Sequence, residues 1–128
     1  TKNNDDKFIA FSHNALGNVE CSQGNYNEGL YHYSKTIDYL MKTNDTLSTS
    51  TVVSNMGNIQ MHQGDYVKAF DSYLKSLGIA QQYNDSSRIA TAYTNLSLVA
   101  YQQDEKQDGE LAEVAFDESP DGRAVFPQ

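Results

Sequence analysis

Only one of the 128 residues is a cysteine, Cys21, so no disulfide can form within the chain and the redox compartment stays open. No apolar run approaches the ~18 residues that a membrane-spanning helix needs, and no secretory signal is visible. The chain starts at Thr1 rather than Met, which suggests an excised piece of a longer protein. Basic clusters are missing too. The net charge is −8, so nucleic-acid binding by phosphate neutralisation is not expected. Charge of either sign is missing from residues 46 to 64, TLSTSTVVSNMGNIQMHQG, nineteen positions without Lys, Arg, Asp or Glu. That stretch is too polar for a buried segment, yet it lacks the charges that solvate the outer face of a helix.

What is present fits one domain of ordinary size. Hydrophobic residues make up 38%, enough for a modest core. From Asp104 onward eight acids meet two bases, Lys106 and Arg123, so −6 of the net −8 lies in the last fifth of the chain. The ordering principle is an internal repeat. LGNVECSQGNYNEGLYHYSKTI (16 to 37) aligns without a gap on MGNIQMHQGDYVKAFDSYLKSL (56 to 77), a period of 40. Self-similarity at such a period marks a solenoid of supersecondary units. In the second unit Val52, Val53, Met56, Gly57, Ile59 and Gln60 fall on one helical face. Tyr66, Ala69, Phe70, Tyr73, Leu77 and Ala80 form a second stripe after the break at Gln63-Gly64-Asp65. Gly64 and Gly24 suit left-handed turns, and Asp65 suits a helix cap. Asn44-Asp45-Thr46 and Asn84-Asp85-Ser86 read as cap-and-turn signals between units. They also match a glycosylation acceptor, but they recur in phase with the repeat, which favours capping.

Val53-x2-Met56-Gly57-x2-Gln60 followed by Ala69-x3-Tyr73 resembles the tetratricopeptide pattern. His13-x2-Leu16-Gly17 followed by Gly29-x3-Tyr33 offers a second copy. The resemblance implies an all-α fold, a right-handed α-solenoid of antiparallel helix hairpins. About five helices and a weak C-terminal helix are expected. Gly17 and Gly57 let the paired helices approach closely, and Tyr33 and Tyr73 fill the space beside Gly29 and Ala69. A repeat domain is expected over residues 1–103, with units near 8–44 and 45–84 and a partial one at 85–103. Residues 104–128 are expected to be an acidic segment, with at most a short helix near 109–117. In the third unit Asp104, Lys106, Gly109 and Glu113 stand where the second has Gly64, Tyr66, Ala69 and Tyr73. A shifted match, Ala112-x3-Phe116, needs three inserted residues, and SPDGRAVFPQ reads as a turn and an irregular end.

At ~100° per residue, Thr51, Ser54, Asn55, Asn58 and His62 lie opposite the packing stripe, with Met61 at its margin. The matching set in the first helix includes Asn14, Asn18 and Cys21, and in the third Thr91, Asn95, Leu98 and Tyr101. A face chosen only for solubility would use Glu and Lys, which are better helix formers. By the resemblance, the first helices line the concave side, so this uncharged face is expected to be the wall of a peptide-binding groove. The candidate residues are Asn14, Asn18, Ser54, Asn55, Asn58, Met61, His62, Asn95, Leu98 and Tyr101. Asparagine carries both a donor and an acceptor and can hold a peptide unit at two points. Met61, Leu98 and Tyr101 are the candidate apolar anchors. The same asparagines suit a second role as hydrogen bonds between helices. The family's carboxylate clamp is only partly matched. Asn18 and Asn55 fit it, but Asn14, Thr91 and Asn95 replace its bases, so capture of an acidic C-terminus is not expected.

The function expected is a non-enzymatic scaffold, a sensor or adaptor module of a larger regulatory protein with a protein or peptide partner. The alternative is self-association, a homodimer through exposed solenoid ends. The compartment is open, with the cytoplasm the first expectation and an extracytoplasmic sensor region the alternative. Cys21 and His62 raise the thought of a Cys–His nucleophile. No third group orients the histidine, however, and a lone cysteine reads as a small buried apolar residue. His13 reads as a packed histidine, and three scattered His with one Cys give no metal-ligand spacing. No cofactor or metal is expected.

Overall fold

The turns explain the architecture. Gly24 (φ 82°), Asn44 (φ 60°), Gly64 (φ 76°) and Asn84 (φ 52°) all take the left-handed conformation that glycine adopts freely and asparagine tolerates. After each, the next backbone N–H reaches back to the preceding helix: Asn25 to Glu20 (2.8 Å), Asp45 to Leu40 (3.0 Å), Asp65 to Gln60 (2.9 Å) and Asp85 to Ala80 (3.0 Å). This is the six-to-one closure of a Schellman turn. The acid after the turn then caps the next helix. Asp45 accepts from the Ser48 N–H at 3.2 Å, Asp65 from Lys68 at 3.2 Å and Asp85 from Arg88 at 3.0 Å.

In this computed structural model residues 2–118 are described, with side chains for residues 4–104. Five helices follow one another: α1 (Lys2–Ser22), α2 (Tyr26–Lys42), α3 (Thr46–His62), α4 (Tyr66–Gln82) and α5 (Ser86–Glu118). The architecture is an all-α helical-repeat solenoid. α1 pairs with α2 and α3 with α4, while α2 meets α3 and α4 meets α5. α2 and α4 both have 17 residues and start 40 positions apart, at Tyr26 and Tyr66.

Each hairpin closes around one tyrosine. Tyr33 lies in a cluster with Ala10, Leu40 and Val52, and Tyr73 in one with Ala69 and Val99. A Cβ on Gly17 would lie 2.8 Å from the Tyr33 ring, and one on Gly57 would lie 2.6 Å from the Tyr73 ring. Glycine at these positions is therefore set by helix–helix distance, as the repeat suggested. Ser50 and Ser76 draw α3 and α4 together higher up, each hydroxyl bonding the other's carbonyl at 3.1 Å.

One element differs from expectation. The sequence pointed to a break near Gln103 and a separate short helix over 109–117. Instead α5 is a single helix of 33 residues. The third unit lacks the glycine that turns the chain at Gly24 and Gly64, and Asp104 in its place continues the helix. The irregular end expected for SPDGRAVFPQ lies outside the described residues.

Candidate functional site

Two adjoining clefts run along the α1–α3–α5 side. The larger, about 490 Å³, lies between α3 and α5 and is lined by Thr51, Ser54, Asn55, Asn58, Arg88, Thr91 and Asn95, with Ser76 of α4 behind them. The smaller, about 220 Å³, lies between α1 and α3. Phe11, Asn14, Thr51, Val52 and Asn55 line it, and Leu40 and Thr36 of α2 reach it from behind. Thr51 and Asn55, one turn apart on α3, belong to both clefts and join them.

The asparagines have different local roles. Asn18 Oδ1 accepts from the Tyr33 hydroxyl at 2.5 Å, and Asn58 Oδ1 accepts from Tyr73 at 2.5 Å. Each buried tyrosine thus fixes the amide of the asparagine that directly follows its glycine. The amide oxygen of each is taken up by the hairpin, while both asparagines stay exposed. Burial pushes the Tyr33 hydroxyl up to about 12 and raises that of Tyr73, so both stay protonated donors at neutral pH. Asn95 donates to Ser54 across α3 and α5 at 3.3 Å. Asn14 and Asn55 line the clefts without a hydrogen bond to another described residue.

Of the residues expected at the site, Asn14, Ser54, Asn55, Asn58 and Asn95 line the clefts. Asn18 is exposed on α1 and bonded to Tyr33, outside both clefts. Met61, expected as an apolar anchor, packs instead against the Ala69–Tyr73–Val99 cluster. His62 turns to α2, where its ring stacks on Tyr26 at 6.1 Å. Leu98 and Tyr101 are exposed on α5, outside both clefts.

Sequence reasoning missed Arg88. It continues the Thr91–Asn95 face by one turn and lines the larger cleft, so the face carries one charge after all. Its guanidinium bonds Asp85 at 2.6 Å, and Nε donates to Thr51 at 3.3 Å. The backbone N–H of Arg88 and then its side chain hold the Asp85 carboxyl below its usual range. The cation is therefore matched locally. The signal was available, because Arg88 lies three residues before Thr91 on the same helical face.

Sequence reasoning also missed a pair of histidines. The Nδ1 atoms of His13 on α1 and His32 on α2 lie 3.0 Å apart, and the His13 ring stacks on Tyr39 at 6.0 Å. Burial, then the charges of His32 and Lys35, depress the pKa of His13. Cys21 packs beside Gly29 and Tyr33, and burial raises its thiol. That direction is opposite to the one an activated nucleophile needs. Among the described residues no group of three or more His, Cys, Asp or Glu side chains can hold a metal ion. No helix there is long and apolar enough to cross a membrane.

Paired helices, glycine–tyrosine seats repeated from unit to unit and a polar face shared by alternate helices define a helical-repeat interaction module. The chain belongs to the tetratricopeptide repeat family, whose model matches residues 45–108. The match covers α3, α4 and most of the described part of α5. Neither the curated proteins nor the solved structures include a match to the chain. Repeats of this family typically act as non-enzymatic interaction modules, which supports a scaffold role with a protein partner.

Proposed function

We propose that the chain is the peptide-binding part of a larger regulatory protein, a sensor or adaptor module reading an extended peptide along α1, α3 and α5. The observation that carries this reading is Asn55. It is only partly exposed, belongs to both clefts, and its side chain makes no hydrogen bond within the described fold. A polar group that the fold does not use, set where two clefts join, is suited to a backbone amide. Asn58 supports it, since Tyr73 takes up its amide oxygen while the residue stays exposed in the larger cleft. Because Arg88 is already paired with Asp85, the groove favours uncharged main chain over acidic side chains.

The test is a binding screen against extended peptides by fluorescence anisotropy, with Asn55→Ala as the central variant. Asn55 is a cleaner probe than Asn18 or Asn58, whose loss would also free a core tyrosine hydroxyl. Each bond contributes about 1 kcal/mol, so losing one or two weakens binding about fivefold to thirtyfold, with an unchanged melting temperature. Peptide affinity that ignores Asn55→Ala and Asn14→Ala alike would remove the groove reading.

A second reading, self-association through the solenoid ends, is favoured by apolar side chains at the first helix. Phe8, Leu16 and Val19 of α1 are exposed.

A further inference from the structure

At the other end of the solenoid the fold prepares a seat for a helix. In the second unit α4 rests on α3 at three points. Ser50 meets Ser76 with hydroxyls 3.0 Å apart, Gly57 lies under the Tyr73 ring, and Gln60 accepts from Ser72 at 2.6 Å. Forty positions on, α5 carries Ala90, Ser97 and Ala100, with Tyr93 among them, and all four are exposed. α4, which packs against α5, also carries exposed apolar side chains. Val67, Phe70 and Leu74 are 72%, 38% and 45% exposed, whereas the first unit has Asn27, Leu30 and Ser34 at these places. The apolar stripe thus appears on the unit whose next partner helix is missing among the described residues.

The sequence still contains a segment of the right kind. α2 and α4 each have 17 residues. Beyond Gln102, α5 runs on for sixteen residues to Glu118, about 24 Å at 1.5 Å per residue. In that segment Leu111, Ala112, Ala115 and Phe116 recur at helical spacing. Glu110, Glu113 and Asp117 recur on the other side of the same helical wheel. It has the length and patterning of a second helix, but no turn precedes it. A left-handed residue that is not glycine costs about 1–2 kcal/mol, and Asp104 avoids that cost by staying helical. An unbroken helix cannot fold back onto its own hairpin.

We propose that residues 103–118 are the second helix of the third hairpin in opened form, and that they dock into the α4–α5 groove of a second copy. The partner's arm fills the groove of the first copy in return. The exchange is isologous and closes as a two-fold dimer, the arrangement that domain swapping produces when a hinge straightens. This gives the end-pairing reading a specific surface, and it does not depend on peptide binding in the groove.

Sedimentation velocity on the whole chain tests it, from low to high micromolar concentration. The expected result is a monomer–dimer equilibrium. Asp104→Gly with Glu105→Asp restores the Gly64-Asp65 turn, so the arm closes on its own seat. A monomer with unchanged helical ellipticity is then expected. Leu111→Glu with Phe116→Glu should raise the dimer dissociation constant at least tenfold. A wild-type chain that stays monomeric throughout overturns the proposal. So does a dimer that survives both arm variants but is lost in Phe8→Glu with Val19→Glu, a result that would leave end pairing through α1 intact.

Discussion

Adding one methyl group at either of two glycines should move stability in opposite directions. Gly57 and Gly78 both lie inside 17-residue helices, α3 and α4. Replacing a helical glycine by alanine gains about 1 kcal/mol from propensity. At Gly78 nothing lies within 4 Å of the new Cβ, so Gly78→Ala should keep that gain. At Gly57 the Cβ would come 2.6, 2.9 and 3.0 Å from three atoms of the Tyr73 ring. Carbon atoms prefer about 3.5–4.0 Å, so the ring would have to retreat by roughly 1 Å. Tyr73 is only 2% exposed and its hydroxyl is bonded to Asn58, so it has little room to do so. Overpacking costs about 1–3 kcal/mol; with Tyr73 held in place the upper part of that range, about 2–3 kcal/mol, applies, which exceeds the propensity gain and leaves Gly57→Ala about 1–2 kcal/mol less stable. The two variants should therefore differ by about 2–3 kcal/mol, roughly 8–12 °C in melting temperature at this chain length. Urea unfolding and thermal melts followed at 222 nm measure both. If Gly57→Ala matches or exceeds the wild type while Gly78→Ala gains as expected, the Gly57–Tyr73 seat does not set the helix spacing and the packing argument fails.

Three further outcomes are expected. The depressed pKa of His13 means the unfolded chain binds its proton at higher pH than the folded chain does. This contribution to stability is fully present above the unfolded pKa of about 6.5 and is lost as pH falls below it. The urea midpoint should therefore drop on acidification, and His13→Gln should flatten that dependence; an unchanged slope would refute the assignment. Asp65→Ala removes the acceptor for the Lys68 N–H and should cost about 1 kcal/mol in urea unfolding, and no loss would show that the turn caps α4 without it. Tyr73→Phe deletes the hydroxyl held by Asn58 and should cost about 0.5–1.5 kcal/mol, with hydrogen exchange quickened at the α3–α4 crossing; unaltered exchange there would count against the tether.

The sequence by itself determined the helical-repeat class, because its signals are local or periodic. Gly24, Asn44, Gly64 and Asn84 mark the four turns, and each takes a conformation that its residue type tolerates. The caps at Asp45 and Asp65 and the glycine–tyrosine seats follow from spacing alone. The polar face was also legible, Arg88 apart, since helical periodicity assigns a side to each residue. Tertiary structure decided what that face is made of. Asn18 and Asn58 are tied inward because the crossing of paired helices brings Tyr33 and Tyr73 within reach, a distance no one-dimensional pattern encodes. Met61 went to the core because it sits at the margin of the stripe, where a small rotation of α3 chooses the neighbour, and His62, the last residue of α3, met Tyr26 because α2 packs against α3. His13 and His32 met for the same reason, nineteen residues apart on helices whose relative rotation is set by packing. The long α5 lies between these cases. The missing glycine could be read from the sequence, but a straight helix and a folded-back one satisfy the same local rules, and only the three-dimensional balance of contacts chooses between them.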